Sequence, residues 1–512
     1  MQQEKRLYWC VFMFILFLTV GLGFFVLRTL VYNSDNASAV FIARDILRGN
    51  WNLRGWMIPI DNFTTTDILF YLPLVAWKGI SVRVIQGVAI AMLTSITGVS
   101  LLLASEGLAL RRSVVSICIA AAFIVGSSLF FLQNLLTIPT HTGTILYALV
   151  CMLLFAKLGK VAKPGLLYGV VFLLTVLGCF GDPLFLAIGV APILVCILIG
   201  LLQKRTKHAE VLFAGVQLVG IFVAHMLVQY VQQQGVLFID QPFIIAELTG
   251  VYANITLFIQ IISHSYAADI FGKPLDSAVF PALLNWLKIA AVLLAVRATF
   301  RTIRASENVS QTDEVLLYAI GIISLLFLFS SYAQGLDAIR YLLSLIIFLG
   351  ILLARRWSDI LQSTGHTFRM LSLLSICVIG IFLIRELRQA PVPINTHDAL
   401  VQNTSLAGQV GYGSYWEAEA ATLYSKEGVT VWPIKVVDGQ FYPYYWLSST
   451  SMYTKPATFI VYSAADAAQF YPAAVHTFGT PVGQQRLENG DTVLTWSNDI
   501  TPKLSHYAGL ER

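Results

Sequence analysis

The chain has 512 residues, of which 57% are hydrophobic and only 12% charged, with a net charge of +5 and a mean hydropathy of +0.73. A soluble domain carries about 25% charged residues, so most of this chain is expected in lipid. The small positive excess does not call for nucleic acid and fits basic loops on the inner side of a membrane. The six cysteines, at 10, 118, 151, 179, 196 and 377, lie in apolar stretches without CxxC or Cys/His spacing. That pattern indicates neither a disulfide framework nor a structural zinc site.

The chain opens with "MQQEKR" and a hydrophobic run that reaches Val31. The run is too long for a leader, and no small-residue cleavage motif closes it, so it reads as a retained membrane helix. Stretches suited to spanning a bilayer recur at 8–31, 84–104, 114–132, 142–157, 166–181, 183–202, 211–230, 284–300, 315–331, 342–354 and 370–385, about eleven in all. The tenth is short and is expected to begin earlier. Residues 66–80 and 241–263 are also apolar and are expected to be re-entrant or interfacial. With the N-terminus cytoplasmic, every inner loop is basic. The residues are Lys5 and Arg6, Arg111 and Arg112, then Lys157, Lys160 and Lys163, and Lys204, Arg205 and Lys207. Arg301 and Arg304 follow, then Arg355, Arg356 and Arg369. An odd number of spans puts the C-terminus outside.

The first outer loop begins "VYNSDNASAVFIARDILRGN". Residues 36–48 predict an amphipathic helix, with Ala37, Val40, Phe41, Ile42, Ile46 and Leu47 on one face. Arg44, Asp45 and Arg48 lie on the other, and Gly49 stops it as C′. Such a helix is expected to lie in the membrane interface, with Asp35 as its N-cap. A carboxylate there can cap the helix and still offer a free oxygen. The loop continues "GNWNLRGWMIPIDNFTTTDILFYLPLVAWKG". Trp51 and Trp56 read as interfacial anchors. Asp61, Asn62, three threonines and Asp67 supply more polar groups than a plain loop needs, and aromatic faces beside such groups suit a sugar. Asp67 also reads as a cap for the next helix.

His141 in "IPTHTGTILYAL" reads as a helix-initiating residue or a phosphate ligand. Asp182 in "CFGDPLFL" precedes Pro183 and reads as an N-cap or a substrate ligand. His264, Asp269 and Lys273 share the third outer loop, "ISHSYAADIFGKP". In "YAQGLDAIRYLL", Arg340 and Tyr341 stand at an outer boundary, with Asp337 in reach of Arg340 at i,i+3. From about residue 386 the material changes, and the tail has the length of one small domain. "VTVWPIKVV", "ATFIVYSA" and "DTVLTWS" predict strands, and "SYWEAEAATLYSKEG" predicts a helix stopped by Gly428. The expected organisation is a transmembrane domain over 1–385 and a small extracytoplasmic α/β domain over 386–512.

The order of these motifs resembles the integral-membrane GT-C glycosyltransferases. An acid lies just past the first span, followed by a loop helix and a turn of the "PIDNF" kind. His141, Asp182 and Arg340–Tyr341 then lie on later outer segments. The resemblance covers about residues 1–385 and implies a polytopic α-helical fold in a bacterial cytoplasmic (inner) membrane. It implies a polyprenyl-phosphate sugar as donor, a lipid or glycan as acceptor, and inversion at the anomeric carbon. Many relatives carry two consecutive acids in the first loop. Here the second position is Asn36, so no metal ligands are assigned, although a divalent cation is compatible with the reaction. The tail also resembles periplasmic tails of some bacterial relatives.

A polyprenyl phosphate leaves as a stable anion, so the reaction needs a base for the acceptor hydroxyl and positive charge on the phosphate. Asp35 is the expected base. Arg340 is the expected phosphate clamp, since a guanidinium bonds phosphate in two places, with Tyr341, His141 and Lys273 as further donor-phosphate residues. Asp61, Asp67, Asp182 and Trp56 are expected to bind substrate. A lipid-linked-oligosaccharide flippase would instead place charges at mid-membrane and show repeated halves. A polysaccharide polymerase would not need an acid so early.

Overall fold

The computed structural model describes residues 2–160, 164–239, 244–274, 279–304, 310–363, 383–393 and 397–504. Every expected span up to residue 354 is helical. Among the described residues, six helices are long and apolar enough to cross a membrane: Gln2–Leu27, Val82–Ser105, Pro164–Gly181, His208–Gln233, Phe280–Arg304 and Gln311–Phe329. A seventh crossing results if the pair Leu110–Ile124 and Leu129–Leu136 is one span, broken by an 86° bend. Thr142–Ala156 and Leu186–Leu202 are shorter apolar helices. The span expected at 370–385 lies almost wholly outside the described residues, as do Lys163 and Arg369.

The bend has a chemical cause. Gly126, Ser127 and Ser128 interrupt the apolar run, and Ser128 Oγ accepts from Phe131 N as the cap of the second piece. The break frees backbone groups that lipid cannot satisfy. Lys288 Nζ donates to Ser127 O (3.2 Å) and Tyr266 O (3.3 Å), and Leu129 N donates to Glu386 Oε2.

The tenth span corrects its expectation. Its helix starts at Leu343 and gains its length at the other end, running to Ser363, while a 3-10 turn over Leu336–Tyr341 precedes it. The extra turns are held by Arg355, which is 6% exposed. It pairs with Asp313 and donates to Leu103 O, Glu106 O and Ser310 Oγ. Arg205 pairs with Glu314 at 2.7 Å and Lys160 with Glu106 at 2.7 Å. Several of the loop cations therefore also tie helix ends together.

Nine strands occur among the described residues: β1 (Trp56–Pro59), β2 (Leu237–Ile239), β3 (Val410–Gly413), β4 (Thr430–Val437), β5 (Gln440–Pro443), β6 (Ser448–Ser449), β7 (Phe459–Tyr462), β8 (Gly483–Arg486) and β9 (Thr492–Thr495). The three strands expected in the tail are present as β4, β7 and β9. They belong to a six-stranded sheet of order β5-β4-β3-β7-β9-β8, in which β3 runs parallel to β4 and β7. The expected tail helix spans Tyr415–Tyr424. It stops before Gly428, and the left-handed residues after it are Lys426 (φ 53°) and Glu427 (φ 65°).

A second, small sheet was not foreseen. β1 of the first loop pairs in parallel with β2 (Met57 opposite Leu237) and antiparallel with β6 of the tail (Met57 opposite Ser448). Three distant stretches thereby share one ladder, and the tail is docked on the helical part by main-chain hydrogen bonds. The apolar core runs on across the seam, where Phe41 meets Trp432 edge to face at 5.8 Å.

Candidate active site

The Ser34–Leu47 helix carries Asp35, but not as predicted. The N-cap is Asn33, whose side chain accepts from Asn36 N, while Asn36 Oδ1 accepts from Asn33 N in a capping box. Asp35 sits one residue inside the helix, and its carboxylate takes no part in capping. The helix does not lie on the bilayer either: Ser34 and every residue from Asn36 to Ala43 are buried. The outward face finds the tail. Ser34 Oγ donates to Tyr415 O and accepts from Glu419 N, Tyr32 N donates to Tyr424 Oη (3.1 Å), and Arg44 pairs with Glu427.

The rest of the loop is laced to the membrane helices. Asn62 Nδ2 donates to Phe180 O (2.8 Å), Phe63 N to Gly181 O (2.8 Å) and Thr65 Oγ1 to Leu177 O. The polar density read as sugar-binding is thus largely committed to backbone. Asp67 is buried, and its Oδ1 accepts from Thr142 Oγ1 and Gly143 N. It caps the distant Thr142–Ala156 helix, not the turn that follows it. Gly143 permits this approach, because a Cβ there would stand 2.1 Å from Thr66 O. Trp56 is 1% exposed, with its indole N–H donating to Asp45 Oδ2 at 2.7 Å. It packs inside the loop as neither an interfacial anchor nor part of the cavity wall, whereas Trp51 is exposed.

A cavity of about 340 Å³ opens where the loops meet the helices. Asp61, His141, Asp182, Tyr332 and Tyr341 form its polar wall, and Leu184, Ala187, Ile323, Leu326 and Phe327 are among its apolar residues. His141 and Asp182 are 2% and 1% exposed and paired, Nδ1 to Oδ2, at 2.7 Å. Asp182 also accepts from Thr144 Oγ1 and, through Oδ1, from Leu184 N at 2.9 Å. Burial opposes its charge, but His141 and these donors outweigh it and hold the carboxyl below its ordinary value. Burial likewise opposes charge on His141, and the Asp182 charge and hydrogen bond, with Asp61, raise it. The His141 ring also meets Tyr341 at 5.4 Å and Phe63 at 5.1 Å.

Arg340 is exposed, and its guanidinium lies 5.0 Å from the Tyr341 ring centroid. Among the described residues it makes no ion pair with Asp337, so the i,i+3 bridge does not form. Its charge acts on Asp35, Asp61 and His141 together. Both Asp35 and Asp61 are raised above the ordinary carboxylate value, chiefly by burial. The structure therefore gathers Asp61, His141, Asp182 and Tyr341 on one cavity, and the Arg340 charge acts both on residues of that cavity and on Asp35.

Lys273 is not among them. It pairs with Asp269 at 2.7 Å, beside His264, on a separate cavity with Arg385 and Glu386. Tyr415, Glu419, Tyr444 and Trp446 of the tail were missed as neighbours of Asp35. Their only signal was an aromatic and acidic density in "SYWEAEA" and "YPYYW", which carries no address.

Asn36 Nδ2 donates to Ile138 O at 2.9 Å, and among the described residues no group of three His, Cys, Asp or Glu side chains has the geometry to hold a metal ion. This donor set does not fit a divalent cation beside Asp35.

The chain is similar to the crystal structure of ArnT from Cupriavidus metallidurans bound to undecaprenyl phosphate. The two share 10% identity with a TM-score of 0.52, covering 99% of this chain and 98% of that one. The apo state of ArnT matches at 11% identity and a TM-score of 0.53, covering 98% and 99%. This chain has an ArnT-like fold. No family model and no curated protein matches the sequence. The likeness to ArnT extends through the tail, since the alignment runs over nearly the whole of both chains.

Proposed function

We propose that the chain transfers a sugar from a polyprenyl-phosphate carrier to a hydroxyl of a lipid or glycan acceptor, with inversion, at the outer face of a bacterial inner membrane. In this reading the N-terminus is cytoplasmic and the tail extracytoplasmic. The observation that carries it is an arginine, Arg340, whose charge acts both on the half-buried carboxylate of Asp35 and on Asp61, which lines a cavity polar on one wall and apolar on another. The fold adds support, since ArnT is a structural neighbour solved with undecaprenyl phosphate.

Asp35 takes the proton of the acceptor hydroxyl. The hydroxyl oxygen bonds to the anomeric carbon as the bond from that carbon to the phosphate oxygen breaks, and the electron pair leaves with the polyprenyl phosphate. One displacement inverts the centre. A base works best with its pKa near the working pH, and burial moves Asp35 in that direction. Arg340, steadied over Tyr341, neutralises the departing phosphate, with His141 as a second donor when protonated. The apolar wall accepts the first prenyl units.

Asp61 is the second candidate base, because it lines the cavity directly and its pKa is also raised. Transfer of labelled sugar from a polyprenyl-phosphate donor in liposomes tests the assignment. Asp35→Asn should lower turnover by about a hundredfold or more. Wild-type turnover in Asp35→Asn with loss in Asp61→Asn would move the base to Asp61. No transfer by the wild-type protein from any lipid-linked sugar would remove the reading.

A further inference from the structure

We propose that the tail is part of the active site, with Tyr415 as the positioning residue that orients the Asp35 carboxylate. The inference rests on Asp35 being the base of the proposed transfer.

Among the described residues, a side-chain hydrogen bond to the Asp35 carboxylate comes from the tail, where Tyr415 Oη donates to Asp35 Oδ1. Trp446, also of the tail, favours the charged carboxylate as well. Among the described residues, the helical part gives the carboxylate the charge of Arg340. A base that must meet a hydroxyl needs its own partner to hold its lone pairs in place, and here that partner belongs to the other layer of the fold.

The phenol is held firmly. Tyr415 is the first residue of its helix and is 8% exposed. Its ring meets Tyr444 at 5.1 Å and Trp416 at 5.1 Å, both edge to face. Its backbone oxygen accepts from Ser34 Oγ, one residue before Asp35, and the same hydroxyl accepts from Glu419 N one helical turn later. Ser34 therefore sets the register of the two helices, so that Tyr415 reaches Asp35. β1 and β6 secure the docking from a second side, and Ser448 of β6 donates to Glu419 Oε1 at 3.0 Å.

The titratable and charged groups facing Asp35 are Tyr415, Tyr444 and Glu419 from the tail and Arg340 from the turn. Glu419 is fully buried, and burial, with the Asp35 charge, pushes its carboxyl up against the hydrogen bond from Ser448. Tyr415 is pushed up too, by burial and by Asp35, and stays a donor. Its hydrogen bond favours the charged form of Asp35. Removing the phenol oxygen must therefore raise the pKa of the base and free its orientation.

The test is the pH profile of kcat/KM for transfer by full-length protein in liposomes, with a polyprenyl-phosphate sugar as donor. In Tyr415→Phe the acidic limb should move up by roughly one pH unit. kcat should fall while the donor KM stays as in wild type. Lys426→Gly, at an exposed left-handed position just past the same helix and away from Tyr415 and Asp35, should leave the limb in place. Replacing Tyr415 by a difluorotyrosine keeps the ring and strengthens the donor, so the limb should move down. This arm stands even if Tyr415→Phe folds poorly. If Asp35→Asn abolishes transfer but neither Tyr415 variant moves the limb, Tyr415 is only structural and the inference falls while the functional reading stands. If Asp35→Asn transfers like wild type, both fall.

Discussion

Asp182 and Asp35 are both sheltered carboxylates, and they differ in what holds them. Asp182 is met by a histidine, a threonine hydroxyl and a backbone N–H, all from the helical part, and its pKa is lowered. Asp35 is met by a phenol from the tail and a more distant arginine, and its pKa is raised. A carboxylate with committed lone pairs and a buried countercharge is a strut. One that is desolvated and under-bonded is ready to take a proton. Sequence position does not separate the two, because each stands near the end of a membrane helix.

The largest expected effect tests the strut. His141→Ala leaves Asp182 buried without its cation and should cost about 3–5 kcal/mol of stability, read as a large drop in melting temperature. Asp35→Asn should melt no lower than wild type, because burial already disfavours its charge and the amide oxygen still accepts from Tyr415. An equal loss in both variants would dissolve the distinction. The pair also sets a pH window. The lowered Asp182 stabilises the fold above the unfolded carboxylate value of about 3.9, and this is lost as pH falls through its folded pKa. The raised His141 stabilises the fold below about 6.5, and this is lost as pH rises through its folded pKa. The pair's contribution should therefore be full between about pH 4 and 6.5, and the melting curve against pH should flatten in His141→Ala.

Arg340 reports on the side of Asp35. A lysine keeps the charge but loses the planar fork, so Arg340→Lys should raise the donor KM by roughly ten- to a hundredfold with little change in melting temperature. Unchanged kinetics would move the phosphate site toward His141. The smallest effect belongs to the seam. Arg44 and Glu427 are 18% and 37% exposed, and Arg44→Ala should cost less than about 1 kcal/mol. A larger loss would mean that the tail hangs on this pair, not on the β1–β6 ladder and the Tyr415 helix.

The first loop shows how far the residues could be read. Its helix and the Gly49 stop were legible, because apolar spacing and a left-handed glycine are local signals. The burial of that helix and the true cap were not. Asn33, Ser34 and Asp35 are all good cap residues, and only the backbone geometry chooses Asn33. Trp56 misled because an amphipathic indole looks the same beside lipid as beside Asp45. β1 was invisible, since four residues pair with strands about 180 and about 390 positions away and no local period announces such partners.

By itself the sequence determined the membrane class, the rough course of the helices, the sheet-bearing tail and the small set of polar residues from which a site could be drawn. These follow from hydropathy and periodicity, which each stretch carries alone. Only the tertiary structure decided that His141, Thr144 and Leu184 surround Asp182 and that the tail supplies a donor to Asp35. A carboxylate's role depends on what surrounds it in space, and here the deciding partners, Tyr415 for Asp35 and His141 for Asp182, lie 380 and 41 residues away along the chain.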